Sequence, residues 1–356
     1  MINFVSVLNP AKRCFIASSL VSRDIHVMVL VLPTISLAFQ ENNLLQPYLF
    51  CLLSLALFLG IPGANAMPDT TPAEPTFTAN TVTAPGAPLV KIAGDFTFTE
   101  GPATDAVGNI FFTDQPTDRL LKWHAADGTI TTFLQGCGRA NGTCFDAQGD
   151  LWTCSDEHNA LWRISPDGKA VVVIADYDGK RLNGPNDVWV RPDGGLYITD
   201  PFYVRSYWQH GHQEQDTEGV YYLPPGGTKL VRVISDFEKP NGIIGTPDGK
   251  TLYVADIGAG KTYRYTIASD GSLTDKHLFC HLGSDGMTLD SAGNVYLTGH
   301  GVTVFDHAGT QILHIPIPED WTGNLCFGGT DRHTLFITAS KSVYTLAMRV
   351  HGVGSQ

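Results

Sequence analysis

The chain lacks a long apolar run, a paired-cysteine motif, a serine-hydrolase elbow and any excess of positive charge. Each absence excludes something. The most apolar run, Leu49 to Gly60, falls well short of the roughly 20 residues that a spanning helix needs. No Cys-x-x-Cys pair occurs, which argues against a structural zinc site. No Gly-x-Ser-x-Gly is present, which argues against a serine nucleophile. A net charge of −12 argues against a nucleic-acid surface and agrees with cation binding or with simple solubility. Cysteine is sparse and odd in number outside the leader: Cys137, Cys144, Cys154, Cys280 and Cys326. Cys137 and Cys144 are close enough for a local disulfide if the protein is exported, and the rest read as small buried hydrophobes.

Residues 1–66 differ from the rest of the chain. Met28 to Phe39 is apolar, Leu49 to Gly60 more so, and Ala64-Asn-Ala66 is a small-residue cleavage pattern. A short apolar core ending at such a site reads as a signal peptide cut near Ala66, with export to the periplasm or the exterior. The leader is atypical, because Lys12 and Arg13 lie far upstream of the core. A start downstream of Met1, an uncleaved anchor and an added extension are the other readings. Residues 67–86, rich in Pro, Thr and Ala, read as a linker, and residues 87–350 as one domain.

What the chain does have is a repeat. Asp105-Ala-Val-Gly108 is followed by Asn-Ile-Phe-Phe-Thr-Asp114, and the pattern of turn then β-rich run recurs at Gly149, Gly194, Gly249 and Gly293. A sixth copy carries Arg332 in the glycine's place. The intervals are 41, 45, 55, 44 and 39 residues. Each unit then offers a third strand, such as Leu120 to His124, and most a fourth, such as Thr129 to Phe133. Four strands in each of six units predict a six-bladed β-propeller, an all-β fold. The sixth unit runs out after three strands. Pro88 to Ala93 matches the missing one, so the N-terminal strand is expected to close the ring on the last blade.

Eight residues before each turn stand Glu100, Asn141, Asn186, Asn241, Asp285 and Asn324. All six carry a side-chain oxygen. Any one of these Asn-Gly or Asp-Gly pairs alone reads as a turn, but turns need no common phase across six blades. The innermost strands of a propeller line its channel, so the six are expected to converge at one mouth. Oxygens without thiolate or imidazole suit a hard cation. The ends of the second strands, Asp114, Asp200, Asp256 and His300, are expected at the same rim. The longest insertion, Tyr203 to Glu218, reads as a loop over the pocket or as an ordinary polar loop. Its aromatics, Tyr203 at its head among them, and its histidines, His210 and His212, are candidate substrate contacts; the His pair has no evident third zinc ligand.

Thr99-Glu-Gly-Pro102, Arg181-Leu-Asn-Gly-Pro-Asn-Asp187, Thr199-Asp-Pro201, Lys239-Pro-Asn-Gly242 and Ser284-Asp-Gly-Met287, in this order, resemble the SMP-30/gluconolactonase/luciferin-regenerating-enzyme family. The resemblance runs from about Phe96 to Leu346. It implies a sugar-lactone hydrolase with one divalent cation in the channel. Ca²⁺ is expected first, with Mg²⁺, Mn²⁺ or Zn²⁺ as alternatives. It implies Glu100, Asn241 and Asp285 as metal ligands, Asn186 as a ligand or substrate contact, and Asp285 as the catalytic acid/base. Arg181, Asn141, Asp200 and His300 are candidate substrate contacts. A gap-free match places Gly184 at one of the family's arginine positions, and Cys154-Ser-Asp-Glu-His158 stands where the family is arginine-rich. The expected partner is a small-molecule lactone, with no nucleic acid and no membrane span in the mature chain, which would be a monomer or small homo-oligomer. Two other functions fit the same residues: a non-catalytic propeller plugged by its metal, and an esterase or phosphotriesterase.

Overall fold

A computed structural model describes residues 81–353. The leader, its Ala64-Asn-Ala66 site and nearly all of the linker lie outside the described residues. Among those described, no helix is long and apolar enough to cross a membrane.

Six four-stranded antiparallel sheets are arranged as the blades of a propeller. Their innermost strands are Thr99–Thr104, Ala140–Phe145, Val188–Val190, Pro240–Gly245, Met287–Leu289 and Thr322–Gly328. Each blade then meanders outward strand by strand, as in Ile110–Asp114, Arg119–Trp123 and Ile130–Gln135. The inner two strands of that blade are buried along their whole length, because both faces meet neighbouring blades. The fourth is half exposed.

The core therefore lies between blades. Cys154, Leu161 and Ile174 of the second blade pack on Val188, Leu196, Ile198 and Tyr221 of the third. Phe112 and Leu121 of the first meet Phe336 and Val343 of the sixth. Each such large side chain contributes about 1.5–3 kcal/mol on burial.

The repeated turns have a local cause. Asp105 Oδ1 accepts N–H bonds from Val107 (3.0 Å) and Asn109 (2.9 Å), and Gly108 sits at φ +92°. Asp146 and Asp290 repeat the arrangement. In the sixth blade Arg332 takes a left-handed φ of 60°.

Closure matches the expected topology. Val90–Ala93 pairs antiparallel with Ser342–Ala347, with Val90 opposite Thr345 and Lys91 opposite Tyr344. Packing starts upstream of that strand. Val82 is buried against Leu346 and Met348, and Thr83 bridges Met348. The other end of the chain returns beneath the fifth blade, where Gly352 bridges Asp290.

At the axis the strands approach so closely that a side chain often has no room. A Cβ on Gly286 would lie 2.0 Å from the Asn324 carboxamide, and one on Gly142 would lie 2.3 Å from Asp187 Oδ1. Gly101 lies in the same way on Asn141, Gly242 on Asp285, and Gly323 on Glu100. The glycine after most ring residues is thus a packing requirement of the next blade.

Gly286→Ala is expected to destabilise the fold by about 1–3 kcal/mol through overpacking, read as a lower denaturant midpoint. An alanine at Gly211, whose Cβ would meet nothing within 4 Å and whose φ lies outside the left-handed region, is the comparison and should cost less. A truncation starting at Phe96 removes the closing strand and bares the edge of Ser342–Ala347. It should lower the midpoint and raise light scattering with protein concentration.

Candidate functional site

The ring residues are set in place by two repeated devices. The acid that ends the second strand accepts backbone N–H groups from the segment leading into the innermost strand. Asp114 accepts from Thr97 and Phe98, just before Glu100. Asp200 accepts from Asn183 (2.9 Å) and Gly184 (2.8 Å), just before Asn186. Asp256 accepts from Glu238 (3.0 Å) and Lys239 (2.9 Å), just before Asn241. In the sixth blade Ser340 bonds Trp321 in the same role. The preceding threonine provides the second device. Thr199, Thr298 and Thr338 accept from the N–H of Asp187, Gly286 and Asn324.

Asp200 is therefore a staple, not a rim group. It is fully buried, both oxygens are occupied, and burial pushes its carboxyl up to about 7 against the pull of those donors. Asp114 and Asp256 share this role, and their burial removes them from the expected rim.

Glu100, Asn141, Asn186, Asn241 and Asn324 are all buried and Asp285 is half-buried. Close approach of each blade to the next brings them together around the axis. Asn324 Nδ2 donates to Glu100 Oε2 at 3.2 Å, while Asn324 Oδ1 accepts from the Leu325 N–H. Asn324 thus orients Glu100 and has its oxygen engaged. The side-chain oxygens of Asn141 and Asn241 are buried without a hydrogen bond. Asn186 uses its backbone, donating to Thr199 and accepting from Gly142.

The carboxylates at the axis, Glu100, Asp187 and Asp285, have no ion-pair partner among the described residues. Burial raises Glu100 well above the usual carboxylate range, and the charges of Asp285 and then Asp187 add to it. Burial likewise raises Asp285, against the hydrogen bonds of Trp321 and Asn241 and the charge of Arg205. The described residues hold no group of three His, Cys, Asp or Glu side chains suited to a metal. The donor set here is of another kind: two carboxylates and unpartnered amide oxygens. It fits a hard divalent cation, which would supply the missing positive charge and take the orphaned oxygens.

Two neighbours were not evident in the sequence, and a third, Tyr203, was expected only as one of the insertion's aromatics. Asp187 stands where four of the other five blades place glycine, and that break in pattern was its signal. It is buried, pushed up to about 8 by that burial, and accepts from the Ile243 N–H at 3.4 Å. With Thr143 and Asn324 it lines a cavity of about 550 Å³ that reaches the turns on the opposite face. Trp321 donates its indole N–H to Asp285 Oδ2 at 2.6 Å. Tyr203 accepts from Asn241 Nδ2 at 3.1 Å, which leaves the Asn241 oxygen free.

The insertion starts beside the ring, where the Tyr203 hydroxyl meets Asn241. His210 stacks on Trp208 with centroids 4.7 Å apart and bonds Asn159 Oδ1 at 3.0 Å. Arg181 is engaged by the same insertion, pairing with Glu214 at 2.9 Å. His300 is exposed beside Trp321, 5.3 Å between centroids, and so belongs to the rim. Cys137 and Cys144 do not form the local disulfide: all five described cysteines are free. Cys137 packs with Phe111 and Leu120, whereas Cys144 packs with the cluster around Leu161 and Leu196.

Residues 98–341 match the model of the SMP-30/gluconolactonase/LRE-like region. A gluconolactonase of Zymomonas mobilis is 29% identical over 296 residues, covering 74% of this chain and 82% of its own. A diisopropyl-fluorophosphatase of Loligo vulgaris is 26% identical, covering 74% and 89%. The solved structure of a gluconolactonase from Xanthomonas campestris is 33% identical, with a TM-score of 0.69 over 75% of this chain and 91% of its own. The matched region contains every ring residue and all the blade strands except the two outer strands of the sixth blade, and the chain is a member of the SMP-30/gluconolactonase/LRE-like family.

Proposed function

We infer that the chain is a lactone hydrolase with a divalent cation in its channel. The observation that carries this reading is the pair of carboxylates without an ion-pair partner, Glu100 and Asp285, set among amide oxygens without partners. The relatives named gluconolactonase support the substrate class. Glu100, Asn186, Asn241 and Asp285 would hold the cation, with Ca²⁺ the first candidate because the donors are all hard oxygens. When bound, it supplies Lewis acidity to the lactone carbonyl.

The chain's own residues supply the rest. Asp285 takes the proton of the attacking water as its oxygen adds to the carbonyl carbon. When the ring C–O bond breaks, Asp285 returns that proton to the departing oxygen, giving a hydroxy acid. Trp321 fixes the orientation of Asp285 for both transfers. Asn141, with its free oxygen, would contact the substrate. The exposed His300 beside Trp321 lies where a ring substituent would pass.

Lactone hydrolysis should be abolished by a chelator and restored by Ca²⁺. Asp285→Ala should lower kcat by at least about 100-fold, and Glu100→Gln should raise the Ca²⁺ concentration for half-maximal activity. Full turnover by the chelated double variant sinks the proposal. Loss of thermal stability on chelation, with no turnover of lactones, aryl esters or organophosphates by the loaded protein, marks a metal-plugged binding module instead.

Trp321→Phe keeps the aromatic rim and removes the donor to Asp285. It should cost about 10–100-fold in activity or cation affinity, with the melting temperature little changed.

The metal-free protein should also respond to pH in an unusual direction. Raised carboxylates bind more protons folded than unfolded, so stability falls as pH rises from the ordinary carboxylate range near 4 toward the folded value, about 8 for Asp187. Melting of chelated protein should therefore move to lower temperature between pH 5 and 8. Saturating Ca²⁺ should reverse the trend.

A further inference from the structure

A second cluster of buried polar groups borders the ring on the side of the insertion. Its hub is Asp156, which is 2% exposed. Asp156 Oδ2 accepts from Gln115 Nε2 of the first blade at 2.6 Å and pairs with Arg205 Nε of the insertion at 2.7 Å. Its backbone carbonyl accepts from the Trp208 indole at 2.8 Å. Three parts of the chain, from three blades, thus meet on one carboxylate.

Arg205 is held at its Nε end by the ion pair with Asp156, without a hydrogen bond of good geometry there. Its guanidinium lies 5.5 Å from the ring centroid of Tyr203, whose hydroxyl bonds the ring residue Asn241. Its terminal nitrogens make no hydrogen bond among the described residues, although its side chain is only 26% exposed. Its charge is one of those that act on Asp285. A planar donor fork is therefore fixed at its root, with its tips unpartnered, beside the proposed reaction site.

Nearby, the segment leading to Asn186 contributes little side chain. Gly184 has φ +153°, and a Cβ there would lie 2.9 Å from the Trp208 ring. The insertion occupies that space and forms the wall itself.

We propose that Arg205, positioned by Asp156, recognises the hydroxyl groups on the lactone ring, and that the insertion sets specificity at the channel site. This rests on the lactone-hydrolase reading. Arg205 donates N–H bonds to substituents of the ring, and the ion pair with Asp156 offsets part of its charge. The wall therefore suits neutral hydroxyls over a carboxylate. Tyr203 and Tyr207 add aromatic surface against which a sugar ring can lie. Asp156 is a positioning residue, acting only through Arg205.

The test compares Ca²⁺-loaded wild type with Arg205→Gln, Arg205→Lys and Asp156→Asn on two substrates. One is glucono-1,5-lactone, which carries hydroxyls. The other is δ-valerolactone, the same ring size without them. Arg205→Gln should lower kcat/KM on the hydroxylated lactone by about 10–100-fold, the range for one or two lost bonds to a charged donor. Most of that should fall on KM, and δ-valerolactone should lose much less. Arg205→Lys, a cation without the fork, should recover only part of the loss. Asp156→Asn should change in the same direction as Arg205→Gln. Equal losses on the two lactones in variants that melt like wild type overturn the proposal, as does no loss on either. Failure of wild type to hydrolyse any lactone is the different result that removes the lactone reading, and the role of Arg205 with it.

Discussion

Six strands have to share one axis. That crowding is the constraint on which the rest of the molecule depends. The end of each innermost strand must pass within van der Waals contact of the next, and for Gly101, Gly142, Gly242 and Gly286 there is no volume for a Cβ. Side chains just before these glycines are pressed together at the channel mouth. Two of them, Glu100 and Asp285, are carboxylates. Concentrating acids where burial and mutual repulsion both oppose ionisation is unfavourable for the bare chain. Under the proposed function, the same residues form a receptor for positive charge.

The staples explain how such an arrangement is kept in register. Asp114, Asp200 and Asp256 lie at the ends of the second strands, yet they act on the approach to the first. Each converts a loop into a fixed entry, so that Glu100, Asn186 and Asn241 begin their strands at the same height. The acids that look like site residues thus divide into two sets. One set points to the axis; the other is buried among backbone N–H groups and carries the geometry.

Much of this was legible from the sequence because a propeller is a repeat, and a repeat exposes its own phase. The eight-residue interval to each turn depends on strand length alone, so it located all six ring positions; the sixth unit's missing fourth strand located the closing one. Functions that depend on contacts between blades were not legible. Nothing about Asp200 in Thr199-Asp-Pro201 says that its oxygens turn back to Asn183 and Gly184. Trp321 reaches Asp285 from 36 residues away, and Arg205 reaches Asp156 across an insertion that has no counterpart in the other blades. Arg181 shows the reverse: its place beside the Asn-Gly-Pro-Asn-Asp run suggested a substrate contact, but the insertion supplies Glu214 as its partner.

The closing strand has a consequence for how the chain is made. Val90–Ala93 precedes every blade, and its partner Ser342–Ala347 is the last strand of the propeller. On a ribosome, the first strand of the domain to emerge has nothing to pair with until almost the entire polypeptide has been synthesised. No partial product can seal the circle, and any chain arrested short of Ala347 keeps an unpaired edge at each end. Circularity thus makes completion of translation a condition of closure, and it concentrates the risk of misassociation in the interval before the two ends meet.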